Sequence, residues 1–231
     1  MSERAQADRI REMFDRIASG YDRQNTLFSL DRDRAWRRRA SQLAALRPGQ
    51  LALDLCTGTG KLAAELLPCV QPDGRVIGLD FSPRMLELAR RRVPGVEFRL
   101  GDVMALPFED RSVDAVTIAF GLRNLVDREG GLREMLRVLK PGGRLVILEF
   151  PPPPHGVLSL PYRAYLTRVM PQVAGWFGMD RAAYQYLATS VESFPSPLEL
   201  AELLERVGFR DVQVQRMTGR IVALHRGIRP A

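Results

Sequence analysis

From Leu51 onward the chain alternates short apolar runs with segments whose apolar residues recur at helical spacing. The runs LALDL (51–55), RVIGLD (75–80), VEFRL (96–100), VDAVTIAF (113–120) and RLVILEF (144–150) place apolar residues on both faces of an extended chain. Strands covered on both sides read this way, so the pattern predicts five parallel strands. Helical stretches fall between them, at 61–67, 83–92 and 127–139, with Ser82 and Pro83 as cap and first residue of the second. RPGQ (47–50) and KPGG (140–143) punctuate the strands as turns. Such alternation predicts a doubly wound α/β sheet with helices on both faces and right-handed crossovers.

Before this core, 7–18 and 31–46 have helical spacing, with Ile10, Met13, Phe14 and Ile17 on one stripe. The segment between them, SGYDRQNTLFSL, starts as a polar turn. After strand five, PPPPHG (151–156) can neither extend a central strand nor lie inside a helix. Residues 157–190 read as helical and aromatic, carrying Tyr162, Tyr165, Trp176, Phe177, Tyr184 and Tyr186. A capped helix at 196–209 ends at Gly208, and two strands follow near 211–217 and 220–225. The expected organisation is one domain over 1–231. It comprises an N-terminal helical lid (1–46), a cofactor-binding core (47–150), a helical insert (151–195) and a C-terminal helix with a strand hairpin (196–231).

The polar landmarks all follow strands: Asp54 to Gly60, Asp80, Asp102 and Gly121–Asn124. In open α/β sheets the ligand sits at the carboxyl ends of the strands, near the switch in strand order. Gly58 and Gly60 permit a turn that hugs a ligand, and the helix from Lys61 points its N-terminus at it. Asp80 follows at the spacing of a ribose-hydroxyl acceptor. Gly58-Thr59-Gly60 with Ala63 also meets a loose dinucleotide fingerprint, so a nicotinamide or flavin dinucleotide competes with S-adenosylmethionine. Asp54 favours the latter, because a carboxylate there repels a pyrophosphate but suits a methionyl ammonium. Asp102 is placed to accept from an adenine amino group.

Composition narrows the class. Of 231 residues, 45% are hydrophobic and 26% charged, ordinary for a soluble globular protein. No apolar run approaches the ~20 residues of a membrane span. The N-terminus is polar, and Glu3, Asp8 and Glu12 argue against a transit peptide. Cys56 and Cys69 give neither a disulfide framework nor metal spacing, so a reducing cytoplasm is expected and no metal. The net charge is +7, and only Lys61 and Lys140 of 34 basic residues are lysine. The densest patch, DRDRAWRRRA, reads as a solvated face, with an anionic membrane surface as the partner alternative.

LDLCTGTG, VIGLDFSPRML, GDVMALPFED, SVDAVTIAFGLRN and LREMLRVLKPGGRLVILEF resemble the successive motifs of class I S-adenosylmethionine-dependent methyltransferases. MFDRIASGYDRQNTLFSLDRDRAWRR, FGLRN, YQYLATSVESFP and MTGRIVALHRG resemble, more narrowly, the menaquinone/ubiquinone biosynthesis C-methyltransferase family. That resemblance covers nearly the whole chain. It implies a seven-stranded sheet with an antiparallel last strand, and methyl transfer to a ring carbon of a polyprenylated hydroquinone. By position it implies cofactor contacts from Thr59, Asp80, Phe81, Asp102 and Val103. Ala119 stands where some relatives place a serine, and Lys61 where the usual loop ends in an acid.

The resemblance also points to Arg123 and Asn124 as catalytic residues. An arginine stays protonated, so an electrostatic role is expected for Arg123 and an orienting role for Asn124. Tyr21 and Asp22 belong either to a lid over the cofactor or to a helix-linking turn capped by Asp22. The acceptor is expected to be a demethylmenaquinol, with a ubiquinone-pathway benzoquinol as the alternative. Expected partners are the polyprenyl hydroquinone, an anionic membrane touched peripherally and a second copy of the chain. A nucleic-acid methyltransferase is disfavoured, because AFGLRN replaces the Asn/Asp-Pro-Pro-aromatic turn and neither cysteine lies past strand four. A nicotinamide oxidoreductase and a non-catalytic binder are the other rivals.

Overall fold

The computed structural model describes residues 3–29, 31–153 and 180–231. His155, Tyr162, Tyr165, Trp176 and Phe177, and the Tyr184 side chain, lie outside the described residues. A long helix α1 (Glu3–Ser29) and a shorter α2 (Arg32–Ala44) precede the sheet. Then come β1 (Leu51–Leu55), α3 (Lys61–Val70), β2 (Arg75–Asp80), α4 (Pro83–Arg92), β3 (Glu97–Leu100), β4 (Val113–Ala119), α5 (Arg128–Val138) and β5 (Leu139–Glu149). Helices α6 (Arg181–Glu192) and α7 (Pro197–Val207) lead to β6 (Arg210–Met217) and β7 (Val222–Ile228).

The strands form one seven-stranded sheet in the order β3-β2-β1-β4-β5-β7-β6. Pairings from β3 through β5 are parallel, and β7 runs antiparallel to both neighbours. The order reverses between β1 and β4, which places the switch point at their carboxyl ends. Alternate strand residues feed two cores. Leu53, Leu55 and Ile147 pack beneath α5 and α7, on Leu132, Met135 and Leu204. Ala52, Val76 and Val146 face Trp36, Leu66 and Leu86 of α2, α3 and α4. The outer strands are polar: Glu97 of β3 pairs with Arg75 at 2.7 Å, and Arg210, Asp211, Gln213, Gln215 and Arg216 of β6 are exposed.

Local chemistry sets the helix ends. Ser82 accepts from the Met85 amide at the start of α4, and Asp127 caps α5. Ser196 and Glu199 form a reciprocal capping box on α7, which ends at Gly208 with φ 120°.

Two expectations are corrected. The turn read at SGYD is absent, and α1 continues through it to Ser29. Ile10, Met13 and Ala18 are buried on one side of this helix, and that anchoring outweighs the local turn preference of Gly20. The break comes instead at Asp31, at φ 60°. KPGG is likewise no free turn. The ladder already pairs Leu139 with Val113, bulges across 140–143, and resumes at Arg144 opposite Ala115. Gly142 takes φ 76° there, and the Lys140 ammonium lies 2.9 Å from Asp114, which ties the bulge to β4.

Candidate active site

Beyond β1 the backbone turns through Cys56 (φ 49°), Gly58 (φ 56°) and Gly60 (φ 78°). A Cβ on Gly60 would lie 2.9 Å from the Phe98 ring, so only glycine fits without displacing β3. Asp80, at the tip of β2, holds this turn. Its Oδ2 accepts from the Gly58 amide at 2.8 Å and its Oδ1 from the Ser82 amide at 2.9 Å. Burial raises the Asp80 carboxyl to about 6, against the pull of the Ser82, Gly58 and Phe81 amides.

Asp54 lies beneath the turn, 1% exposed. Its carboxylate accepts from Thr57 Oγ1 at 2.6 Å and from Thr117 Oγ1 at 2.7 Å. Burial lifts it to about 6 as well, and the two hydroxyls oppose that rise. It orders the corner and joins it to β4, but it does not reach the cleft wall.

A cleft lies above this corner, at the carboxyl ends of the parallel strands. Gly58, Asp80, Phe81, Asp102 and Val103 line one end, and Ala119, Gly121 and Asn124 the other. Asp102 caps the turn after β3 through Oδ1, which accepts from the Met104 amide at 2.9 Å. The corner fits S-adenosylmethionine: a carboxylate at each of two strand ends, and glycines where a side chain would obstruct approach.

Helix α1 forms the third wall. Ala7, Phe14 and Tyr21, seven residues apart, share the face that lines the cleft. The Phe14 ring meets Tyr21 at 6.0 Å and Phe81 at 6.1 Å, both edge-on. Asp22 locks the helix down. Its Oδ1 accepts from Thr59 Oγ1 at 2.8 Å, it ion-pairs with Arg92, and the Lys61 ammonium lies 3.7 Å away. Thr59 therefore faces the lid and lies outside the cleft lining, as does Gly60. The Lys61 charge expected beside the site is taken up by Asp33 at 3.0 Å. Burial works to raise Asp33, but Arg37 and Lys61 outweigh it and hold the carboxyl low. Ser82 Oγ donates to Asp15 at 2.5 Å, a further tie between lid and core. Tyr21 thus lines the cleft, and Asp22 lies inside the continuous helix α1, bonded to Thr59 and Arg92, where the sequence allowed a helix-linking turn.

At the acceptor end the chain leaves β4 through Phe120 (φ 59°) and Gly121. A Cβ on Gly121 would lie 2.4 Å from that of Cys56, so this turn folds directly over the donor corner. Arg123 is buried behind the cleft wall. Its Nη1 donates to the Phe120 carbonyl at 2.7 Å and pairs with Glu149 Oε2 at 2.9 Å. Burial opposes the Arg123 charge, and Glu149 more than reverses that. The guanidinium Nε, also buried, has no partner among the described residues. Asn124 reaches the cleft, and its Oδ1 accepts from the Tyr186 hydroxyl of α6 at 3.0 Å. Cys56 also lines the cleft, but burial and the nearby Asp80, Asp54 and Glu149 push its thiol well up, which unsuits it as a nucleophile. Among the described residues no cluster of His, Cys, Asp and Glu could hold a metal.

Sequence reasoning missed Glu149, the hydroxyls of Thr57 and Thr117, the lid contacts of Arg92 and Asp33, and the tie from Tyr186 to Asn124. Only the motif YQYLATSVESFP signalled the last of these.

Sheet order, glycine corner and paired acids together define an S-adenosylmethionine-dependent methyltransferase. Solved structures share the fold. A Thermotoga maritima protein titled a possible histamine N-methyltransferase has a TM-score of 0.67 at 22% identity, over 95% of this chain and 99% of that one. A Haemonchus contortus phosphoethanolamine N-methyltransferase in complex with S-adenosylmethionine has a TM-score of 0.62 at 18% identity, over 82% and 51%. The sequence model of the ubiE/COQ5 methyltransferase family matches residues 2–229, and the chain belongs to that family. It is 48% identical to a demethylmenaquinone methyltransferase of Thermus thermophilus, over 94% of this chain and all of the relative. It is 41% identical to a ubiquinone/menaquinone biosynthesis C-methyltransferase of Pseudomonas fluorescens, over 99% and 91%.

Proposed function

We propose that this enzyme methylates a ring carbon of a polyprenylated hydroquinone, with demethylmenaquinol as acceptor and menaquinol as product. The observation that carries the reading is the cleft itself. One end offers carboxylates and a glycine corner to the donor, and the other presents the Asn124 amide with Arg123 behind it. The names of the Thermus and Pseudomonas relatives support the acceptor class.

S-adenosylmethionine supplies an electrophilic methyl when bound. Asp80 would accept from its ribose hydroxyls and Asp102 from its adenine amino group, and Phe14, Tyr21 and Phe81 would exclude water. At the other end Asn124 orients a ring hydroxyl, and Arg123 stabilises the phenolate as that hydroxyl ionises. The neighbouring ring carbon would then supply the electron pair for the new bond to the methyl, while the S–CH3 pair stays on sulfur and the thioether product leaves; the ring proton would pass to solvent water, restoring aromaticity. Alignment of the two reactants in one closed cleft supplies much of the rate.

The wider setting is part of the proposal. The chain acts as one domain in the cytoplasm, and LSLPYRAYL and VAGWFGM of the insert meet the prenyl tail or an anionic bilayer. Among the described residues no helix is long and apolar enough to cross a membrane.

Radiolabelled S-adenosylmethionine, incubated with reduced demethylmenaquinone and with a demethylated benzoquinol, tests the reading. Label in menaquinol supports it. Label in the benzoquinol alone moves the acceptor to the ubiquinone pathway, and label in neither overturns it. Sedimentation with anionic liposomes tests the membrane contact, and no binding at low salt removes it.

A further inference from the structure

We propose that Tyr186 is a positioning residue for methyl transfer, whose hydroxyl fixes the Asn124 amide so that an N–H donor faces the acceptor. This rests on the reading that the cleft takes a hydroquinol.

Among the described residues two polar groups hydrogen-bond the Asn124 side chain, and they dictate which way its amide points. The Phe120 carbonyl can only accept, so the amide atom beside it, at 3.4 Å, is Nδ2. A flipped amide would set Oδ1 against that carbonyl, acceptor against acceptor. At 3.4 Å this contact is too long to hold the group alone. The Tyr186 hydroxyl, 3.0 Å from Oδ1, is the stronger tether. Nδ2 carries two hydrogens. One points at the Phe120 carbonyl, and the other has no acceptor among the described residues, although Asn124 lines the cleft.

The tether suits the chemistry in two further respects. Burial raises the Tyr186 hydroxyl above its ordinary range, against the pull of Arg123 and Arg128, so it is a donor throughout the neutral range. A donor fixed in advance also binds a phenolate better than a phenol, so it strengthens as the ring hydroxyl ionises. Tyr186 is delivered by α6, whose N-terminus is capped by Asp180. The motif YQYLATSVESFP thereby gains a task that the cofactor corner does not explain.

A double-mutant cycle tests this with Tyr186→Phe, Asn124→Ala and the pair, in the full-length enzyme with reduced demethylmenaquinone. Tyr186→Phe keeps the ring and removes only the donor. It should lower kcat about tenfold, leave cofactor affinity and melting temperature unchanged, and move the acid limb of the pH profile upward. In the Asn124→Ala background the same change should cost nothing further, because its target is gone. Asn124→Asp keeps an acceptor for Tyr186 but offers the substrate an oxygen, and should lose at least as much activity as Asn124→Ala. A Tyr186→Phe enzyme with full kcat, or an equal loss in both backgrounds, overturns the inference while the functional reading stands. No product from the wild-type enzyme overturns both.

Discussion

The two ends of the cleft are built by opposite means. The donor end is backbone: a glycine turn whose Gly58 amide is gripped by Asp80, with Asp54 buried beneath it. Its side chains hold the main chain. The acceptor end is side chain: Arg123 borrows Glu149 from β5, and Asn124 borrows Tyr186 from α6. The donor end suits a ligand shared by many enzymes, and the acceptor end is where one substrate is told from another. The contrast also divides the energetics. Losses at the donor end should appear in cofactor affinity, and losses at the acceptor end in turnover.

The largest test of that division is Asp80→Ala. It removes the proposed ribose acceptor and orphans the Gly58 and Ser82 amides, so calorimetry should show cofactor binding weakened about 10²–10³-fold. A dissociation constant close to wild type would erase the distinction. Arg123→Ala should lower turnover about 10²-fold. It should leave cofactor affinity within about threefold, separating the two ends kinetically. The same change leaves the buried Glu149 carboxylate without its cation, held only by the backbone amides of positions 123 and 150, at about 3–5 kcal/mol of stability, which chemical denaturation would record. Equal losses of turnover and affinity would show that the two ends are not independent.

Acid gives a smaller and more pointed effect. The folded Asp80 and Asp54 carboxyls sit at about 6, above the ordinary carboxylate range, so from pH 6 toward 4 the folded state binds more protons than the unfolded. The cofactor-free protein should therefore gain stability as pH falls through that window. On the proposed ribose contact the cofactor takes Asp80 ionised, so affinity should fall by up to about tenfold per pH unit over the same range. Thermal melts with and without S-adenosylmethionine would show the two trends crossing, and parallel trends would remove Asp80 from the ribose contact. Smallest is Asp22→Asn. The ion pairs it weakens are partly exposed, so about 0.5–1 kcal/mol of lid closure is expected to go. Cofactor affinity should then fall only a few-fold and lose part of its salt dependence. An unchanged salt dependence would show that the lid does not depend on Asp22.

What the sequence made legible follows the same division. The glycine corner and the Ser82–Pro83 helix start were readable because each depends on neighbours a few residues away, and Asp80 because its spacing from the glycines is that of a known strand–turn–helix unit. The antiparallel final strand came from the family resemblance and stands. Glu149 was opaque, since LVILEF reads as core strand and its carboxylate acquires meaning only when Arg123 arrives from β4. Thr59 was assigned to the cofactor, but Asp22, 37 residues before it, draws its hydroxyl to the lid. The length of α1 was misread because local turn preference is weak against a docked apolar face.

The polar rims of the sheet have a last consequence. Unpaired strand edges invite another strand to join them, and charged or amide side chains discourage it. Here β3 presents Glu97 and Arg99, and β6 presents Arg210, Asp211 and Arg216. Two copies of this chain could not merge their sheets without stripping water from those groups. Pairing of two copies along these edges is therefore disfavoured.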